Sequence, residues 1–251
     1  MPPPNARTPE AAPETADLET ASEDYAARFG GATGAWMLRR QEMIVRRFLL
    51  PYPSATVLDD GGGHNQLAGP LCRAGFFVTV FGSAPDCGRR VAQETAAGRI
   101  RFEVGDLVAL PYPDRHFDVS MAIRLLPHCA RWPELVAELC RTAGRLVIVD
   151  YPRSRSVNLL AGALFGLKRR IEGNTRSYRL FSDREVGAAF AAHGFELRRR
   201  RPQFFFPMVL HRVLRCQPLS AALEGAARLS GLTTLFGSPV LACFKRKEGG
   251  L

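Results

Sequence analysis

The stretch that decides the fold is residues 57–65, which read VLDDGGGHN. An apolar run predicts a strand over 55–59, and a helical pattern follows it over 66–73. Glycines between a strand and a helix let the backbone turn tightly and approach a ligand, and the helix N-terminus adds positive character there. Because any doubly wound fold can contain a glycine-rich turn of this kind, the turn alone leaves ligand binding open.

Working outward from this turn, apolar strand-like runs alternate with helix-like stretches. The predicted strands are 55–59, 77–81, 100–104, 117–122, 145–150, 195–201 and 240–245, and the predicted helices are 66–73, 87–97, 132–143, 157–170 and 183–193. Continuous apolar strands separated by helices are typical of a parallel sheet that is buried on both faces. The predicted fold class is therefore α/β, with a doubly wound, mostly parallel Rossmann-like sheet and helices on both faces.

The other segments are predicted to surround this one domain. Residues 1–17 are rich in Pro, Ala, Thr and Glu and are expected to form a disordered, dispensable tail. Residues 18–251 are expected to form a single domain, made of N-terminal helices over 18–54 (18–29 and 35–50), a core sheet over 55–201 and 239–246, and a helical insertion over 202–238 (helices 207–216 and 219–230).

Composition excludes several classes of protein. The chain has 251 residues, 46% of them hydrophobic, which is typical of a globular protein and not of a disordered or collagenous chain. The longest apolar run, residues 157–167, is shorter than the roughly 20 residues of a spanning helix, and no signal-peptide pattern opens the sequence. Six cysteines without a CxxC pair and five histidines without ligand spacing predict a cytoplasmic protein with buried thiols and no metal site.

Charge is distributed unevenly along the chain. The net charge is +10, but residues 1–24 carry −5, residues 25–251 carry +15, and residues 168–215 alone carry +8. A basic field of this size favours anionic partners, which include nucleic acid and a phospholipid surface. A solvated basic face that binds nothing remains the alternative interpretation.

Five segments in this order give the sequence a family resemblance over roughly residues 55–200. They are VLDDGGGHNQLAGPL, VGDLVALPYPDRHFDVSMA, RWPELVAELCR, GRLVIVDYP and SYRLFSDREVGAAFAAHGFEL. Together they resemble the class I S-adenosylmethionine-dependent methyltransferases, in the methyltransferase type 11 branch that includes quinone-type and other small-molecule enzymes. The first two segments are the most specific ones.

This resemblance implies a role for individual positions. It implies that Asp59, Gly61 and Gly63 hold the methionine part of S-adenosylmethionine, that Asp106 accepts a hydrogen bond from the adenine amino group, and that Leu107 packs beside the adenine ring. Ile123 and Arg124, just past the fourth strand, would line the cofactor and acceptor pocket, and His128 matches a histidine that is frequent in the family.

One departure from the family pattern concerns the ribose. The family usually has an acidic residue at the end of the second strand, where it binds both ribose hydroxyls, but this chain has Gly82 followed by Ser83. Asp86 is close enough in sequence to serve instead. Loss of a charged hydrogen bond would weaken cofactor binding by about 1.5–3 kcal/mol.

Candidate contacts for the methyl acceptor are predicted from two kinds of position, directly after a strand and within the helical insertion. In open α/β sheets, ligands bind at the carboxyl ends of the strands, which favours Tyr151 and, more weakly, Tyr178 as acceptor contacts. Phe205, Met208 and His211 are predicted to form an apolar lid on the acceptor side of the pocket, with His211 or His128 as the catalytic histidine. For both histidines a purely structural role is the alternative.

The function predicted from these features is transfer of a methyl group from S-adenosylmethionine to a small, hydrophobic or lipid-like acceptor. The basic charge leaves an RNA methyltransferase open, although the sequence has no recognisable RNA-binding module. The missing ribose acid leaves open a non-catalytic scaffold that has lost its cofactor. The sequence does not indicate an oligomeric state.

Overall fold

A computed structural model describes residues 12–157 and 178–248 of the chain. The helices before the sheet are α1 (Leu18–Ala21), α2 (Glu23–Ala27) and α3 (Gly31–Leu49). The strands are β1 (Thr56–Asp60), β2 (Phe77–Gly82), β3 (Ile100–Val104), β4 (Phe117–Ala122), β5 (Ala143–Tyr151), β6 (Phe195–Phe204) and β7 (Ser238–Arg246). The helices between them are α4 (Ala68–Arg73), a 3₁₀ helix (Pro85–Val91), α5 (Ala92–Ala96), α6 (Trp132–Thr142), α7 (Asp183–Ala192), α8 (Met208–Leu214), α9 (Gln217–Leu229) and α10 (Leu232–Phe236).

The seven strands form one sheet in the order β3-β2-β1-β4-β5-β7-β6. All pairs from β3 to β5 are parallel, and β7 runs antiparallel to both β5 and β6. The strand order reverses between β1 and β4, and the loops that leave the carboxyl ends of these two strands flank a crevice in which doubly wound folds bind ligands. The predicted fold class is confirmed.

Two apolar cores hold this sheet between helices. On one face, α3 and α4 pack on the sheet through residues such as Val45 and Leu71. On the other face, α6 and α7 pack through residues such as Leu139 and Phe190, whose ring stacks on Phe244 of β7 at 4.0 Å between ring centroids. The helices on both faces explain why the central strands are continuous apolar runs.

The four consecutive arginines 198–201 lie in β6, which is the edge strand of the sheet. The side chain of Arg198 donates to the Tyr52 hydroxyl at 2.9 Å, and Arg200 pairs with Asp183 at 2.6 Å. Charged side chains on an edge strand discourage pairing with another chain. This part of the basic charge is therefore explained by the fold.

The N-terminus differs from the sequence prediction. Residues 1–11 lie outside the described residues, but Ala16 and Asp17 are 1% and 0% exposed. Expecting a dispensable tail as far as residue 17 was therefore wrong for its last residues, because they pack against the carboxyl edge of the sheet. The predicted helix at 157–170 lies almost wholly outside the described residues, and the insertion contains a third short helix, α10.

Candidate functional site

The glycine turn stands at the carboxyl end of β1, as the sequence predicts. Gly61 has a φ of 76°, and the N–H groups of Gly61 and Gly62 donate to the Phe81 carbonyl at 2.9 and 3.1 Å. A Cβ at Gly62 would lie 2.2 Å from the side chain of Val80. The turn is thus folded back on β2, and only glycine fits its tightest point.

Asp106 follows β3 on the same edge of the sheet and is partly exposed. Its Oδ1 accepts the N–H of Val108 at 3.2 Å, and its Oδ2 lies 3.6 Å from Arg131. Leu107 beside it is fully buried, and Ile123 after β4 is 8% exposed. Asp106 therefore presents a fixed carboxylate over an apolar floor, which suits a planar ring that carries an amino group.

The end of β2 has no room for the acidic side chain that the family usually has there. A Cβ at Gly82 would lie 2.8 Å from the Cβ of Cys87 and 3.2 Å from the ring of Phe102. The Asp86 carboxylate is exposed and pairs with Arg89 at 2.8 Å. The structure therefore gives no support to Asp86 as the ribose-binding acid.

A different carboxylate reaches this point from the N-terminus. Asp17 is fully buried and accepts two hydrogen bonds from Ser83, one from its N–H at 3.0 Å and one from its hydroxyl. The N–H of Glu14 donates to Asp106 Oδ1 at 3.0 Å. A Cβ at Gly63 would lie 2.1 Å from Thr20 Oγ1 and 2.2 Å from the Asp17 carbonyl. The N-terminal segment, residues 14–21, thus lies directly on Gly63, Ser83 and Asp106.

On the other side of the glycine turn lies an aromatic–arginine cluster, made of Tyr25, Phe29, His64 and Arg124. The His64 ring centroid lies 5.7 Å from that of Tyr25 and 5.4 Å from that of Phe29, and the Arg124 guanidinium stacks over Phe29 at 4.0 Å. Arg124 follows β4 with a φ of 63°. The cluster therefore joins α2 to the carboxyl ends of β1 and β4.

A buried hydrogen-bond network fixes Arg124 in this cluster. Its N–H donates to Asp150 Oδ1 at 2.5 Å, and its Nη2 donates to Gln41 Oε1 at 3.0 Å. Gln41 in turn donates to Asp150 Oδ2 at 3.2 Å and accepts from Gln66 at 2.9 Å. Gln41 of α3 therefore holds the guanidinium, and Asp150 of β5 holds the backbone N–H of Arg124 and the amide of Gln41.

Burial shifts the titration of several groups here. It lowers the pKa of His64 to about 4, helped by the charges of Arg124 and Arg90, so the imidazole is neutral at pH 7. Burial raises the pKa of Asp150 to about 6, against the opposing effect of Arg124. It also raises the pKa of Asp60 well above its usual range, and the charges of Asp17 and Asp59 add to this shift. A neutral imidazole and a fixed cation are thus placed beside the glycine turn.

Asp59 gives a test by pH. Burial raises its pKa to about 7, whereas the unfolded value is about 3.9. Between about pH 4 and pH 7, the folded state keeps a proton on Asp59 that the unfolded chain has lost. The contribution of Asp59 to stability is therefore complete below about pH 4 and is lost as the pH rises to about 7. We expect the stability of Asp59→Asn, relative to wild type, to rise by about 2.5 kcal/mol between pH 5 and pH 8. Urea unfolding at both pH values measures this, and an equal difference at the two would contradict the shift.

His128 and Tyr178, which the sequence predicts to lie on the acceptor side, are close to each other. Their ring centroids lie 5.6 Å apart. Tyr178 is 41% exposed, and the neighbouring Arg179 N–H donates to the Pro127 carbonyl at 3.0 Å. The pair sits where the loop after β4 meets the chain that leads into α7. Its catalytic role stays a prediction.

Tyr151 is placed differently from the expectation. It is 2% exposed, and its hydroxyl donates to Asp183 at 2.9 Å. Its ring packs in the core against Phe181. Since the side chain is enclosed between β5 and α7, it anchors that helix and is not open to an acceptor.

His211 is also not open to an acceptor. It is 0% exposed, its Nε2 lies 3.1 Å from Glu224, and its ring contacts Trp36, Phe204 and Phe206. Glu224 also accepts the N–H groups of Phe205 and Phe206, each at 2.9 Å. Met208 begins α8 of the same unit. The structure therefore makes His211 and Phe205 parts of an internally bonded cap, and gives no support to a lid that presents His211 to a substrate.

Sequence reasoning missed several residues of this site because their partners are far away in the chain. Glu14 and Asp17 were assigned to the tail, and Gln41 only to the predicted helix 35–50, although each bonds to a residue more than 60 positions away. A local signal was available only for Asp150, a carboxylate at the carboxyl end of a buried strand.

The described residues contain neither a metal-binding cluster nor a helix that could span a membrane. Within 12–157 and 178–248, no group of three or more His, Cys, Asp or Glu side chains is arranged to hold a metal ion. In the same ranges, no helix is both long and apolar enough to cross a membrane. All six cysteines lie in the described ranges and are free thiols.

Comparison with known sequences supports the interpretation of this edge of the sheet. Residues 58–147 match the family model described as a methyltransferase domain. The demethylmenaquinone methyltransferase of Deinococcus radiodurans is 33% identical over 125 residues, which are 47% of this chain and 51% of that protein. The ubiquinone/menaquinone biosynthesis C-methyltransferase UbiE of Pseudomonas fluorescens is 28% identical over 120 residues, 43% of this chain and 46% of that protein. The chain spans about half the length of these curated relatives.

Solved structures share the fold at low sequence identity. Magnesium protoporphyrin IX methyltransferase from Synechocystis PCC 6803, with bound SAH, has a TM-score of 0.64 at 16% identity, covering 92% of this chain and 96% of that one. The [4+2]-cyclase SpnF has a TM-score of 0.60 at 17% identity, covering 84% of this chain and 81% of that one. Since one neighbour is described as a methyltransferase and the other as a cyclase, the shared fold does not define an activity. Residues 58–147 therefore match a methyltransferase domain in sequence, and the sheet that contains them shares its fold with a solved methyltransferase.

Proposed function

We propose that this chain transfers a methyl group from S-adenosylmethionine to a small hydrophobic acceptor. The observation that supports this most is the position of Gly61–Gly63, Ser83 and Asp106, which follow three neighbouring strands at one edge of the sheet. They offer a tight turn, a hydroxyl and a fixed carboxylate, which match a methionine moiety, a ribose and an adenine amino group in that order. The donor set therefore fits S-adenosylmethionine.

Bound S-adenosylmethionine would supply an activated methyl group on a sulfonium. The contribution of the protein is then alignment of the acceptor and exclusion of water. Leu107 would pack beside the adenine, and Asp106 would accept a hydrogen bond from its amino group. The glycine turn would leave room for the methionine part, which would point toward the aromatic–arginine cluster.

The chemistry of that cluster supports the acceptor class. The half-buried rings of Phe29 and His64 would give a flat apolar molecule a surface to pack on, and the buried ring of Tyr25 packs against both of them. Arg124, held by Asp150 and Gln41, gives this surface one fixed cation that would stabilise an oxygen on such a molecule as negative charge develops there. An acceptor with an apolar ring and a hydroxyl group, such as the quinol-type compounds that the names of the curated relatives suggest, meets both requirements.

A direct assay separates this acceptor class from RNA. The purified chain is incubated with methyl-labelled S-adenosylmethionine and either a demethylated isoprenoid quinol or total RNA, and products are identified by mass spectrometry. We expect label in the quinol. Label in RNA alone, or none in any acceptor despite measured cofactor binding, would contradict the proposal.

Asp106 gives a second test. We expect Asp106→Ala to weaken binding of S-adenosylhomocysteine by about 1–3 kcal/mol, because the adenine amino group loses a charged hydrogen-bond acceptor. Isothermal titration calorimetry measures the effect. Asp114→Ala is a matched control, since this carboxylate is 77% exposed and pairs with Arg141 on the surface. Equal affinities of Asp106→Ala and Asp114→Ala for S-adenosylhomocysteine would show that Asp106 does not contact the cofactor.

A further inference from the structure

The N-terminal segment, residues 14–21, makes contacts that a bound cofactor would need for itself. Three of its residues, spaced three apart, meet three neighbouring strand ends: Glu14 meets Asp106 after β3, Asp17 meets Ser83 after β2, and Thr20 meets the glycine turn after β1. Two strand spacings amount to about 10 Å, so the segment crosses the whole cofactor edge.

The contacts also match the cofactor in chemical type. At Asp106, the Glu14 N–H donates to the oxygen to which an adenine amino group would donate. At Ser83, the Asp17 carboxylate takes both the N–H and the hydroxyl, where ribose oxygens would lie. At Gly63, the Asp17 carbonyl and Thr20 Oγ1 lie within 2.2 Å of the point that a Cβ would occupy, so the segment fills the space directly over this glycine.

The segment is anchored in this position by further bonds. The Glu14 side chain accepts the N–H groups of Ala130 at 3.1 Å and Arg131 at 3.3 Å, and the Cys129 thiol donates to it at 3.4 Å. Ala16 is 1% exposed and belongs to the apolar core cluster that contains Leu107. A segment that only lay on the surface would not bury the methyl group of Ala16 and the carboxylate of Asp17 as fully as this one does.

We propose that residues 14–21 are an intramolecular plug that competes with S-adenosylmethionine for its site and leaves when the cofactor binds. This inference rests on the proposed function, since it takes Gly63, Ser83 and Asp106 as the cofactor site. The measured affinity of the chain for its cofactor is then the intrinsic affinity multiplied by the fraction of molecules in which the plug is open. Any partner or modification that holds residues 14–21 away would activate the protein.

The test is the affinity of Asp17→Ala for S-adenosylhomocysteine. Removing the carboxylate breaks both bonds to Ser83, so we expect binding to tighten by about tenfold or more. Asp17→Asn keeps the size of the side chain and is expected to tighten binding less. Asp24→Ala, an exposed acid nearby, is the matched control and is expected to change nothing. Unchanged or weaker binding by Asp17→Ala would overturn the plug, and weaker binding would instead make Asp17 a ribose ligand.

A second measurement follows the segment itself. Hydrogen exchange at the amides of residues 14–21 is expected to become faster when S-adenosylhomocysteine binds the wild-type chain, because the plug is released. Slower or unchanged exchange in the saturated protein would overturn the proposal, even if Asp17→Ala has altered the fold.

The effect of Asp106→Ala in the Asp17→Ala background tests the plug proposal separately from the proposed cofactor site. In the wild-type chain, Asp106→Ala removes a ligand contact and also a plug contact, so the net loss expected above for the wild-type chain is smaller than the loss from the ligand contact alone. We expect a larger loss of affinity from Asp106→Ala in the Asp17→Ala background than in wild type. Equal losses in both backgrounds would overturn the plug and keep the site, whereas no loss in either background would overturn both.

Discussion

Gly63→Val is expected to abolish cofactor binding, with a loss of at least about a hundredfold in affinity for S-adenosylhomocysteine. A Cβ at this position already lies 2.1 Å from Thr20 Oγ1, far closer than atoms that are not bonded approach. The valine would therefore displace residues 14–21 and then project its own branches into the space where the methionine part belongs. Release of the plug would not rescue binding, because the obstruction is in the turn itself.

Isothermal titration measures this effect, and circular dichroism verifies that the variant is folded. Gly187→Val in α7 is the matched control, since a Cβ at Gly187 has no heavy atom within 4 Å. We expect the control to bind as the wild type does. If folded Gly63→Val keeps an affinity within threefold of wild type, the glycine turn is not part of the cofactor site.

Glu224→Ala is expected to destabilise the fold by about 3–5 kcal/mol. Glu224 is 1% exposed and accepts hydrogen bonds from the N–H groups of Phe205 and Phe206, and its Oε1 lies 3.1 Å from the ring of His211. Its removal leaves the buried His211 ring and two partly buried backbone N–H groups of the insertion without their partner, and unpaired groups of this kind cost about 1–3 kcal/mol each. Urea unfolding gives the free energy directly.

Glu196→Ala on the edge strand β6 is the control, because this side chain is exposed, and its stability is expected to change by no more than about 0.5 kcal/mol. At a temperature where both variants are folded, both should bind S-adenosylhomocysteine as the wild type does. A loss below about 1 kcal/mol in Glu224→Ala would contradict the buried network. A specific loss of cofactor affinity would show that the insertion is a lid after all.

The sheet was predictable because its signals are local. Apolar runs such as 77–81 and 117–122 needed only their neighbours in sequence to be identified as strands, and the structure confirms both within one residue. The glycine turn at 61–63 and the carboxylate of Asp106 were found in the same way, since each directly follows such a run. Their predicted ligand contacts are still to be measured.

The contents of the site were less predictable because they depend on contacts between distant residues. The composition of residues 12–17 indicates disorder, yet Ala16 and Asp17 become buried against residues brought there by the sheet. His211 has the sequence context of a pocket residue, and only the fold reveals Glu224 beside it. Likewise, no local pattern places Gln41 between Asp150 and Arg124.

The most direct test of the central claim is a crystal structure of the chain with S-adenosylhomocysteine. We expect the adenine amino group within hydrogen-bonding distance of Asp106, the ring against Leu107 and the homocysteine over Gly61–Gly63, with residues 14–21 moved away. A ligand bound elsewhere, or one bound there with the Asp17 carboxylate still on Ser83 and the Glu14 N–H still on Asp106, would contradict it.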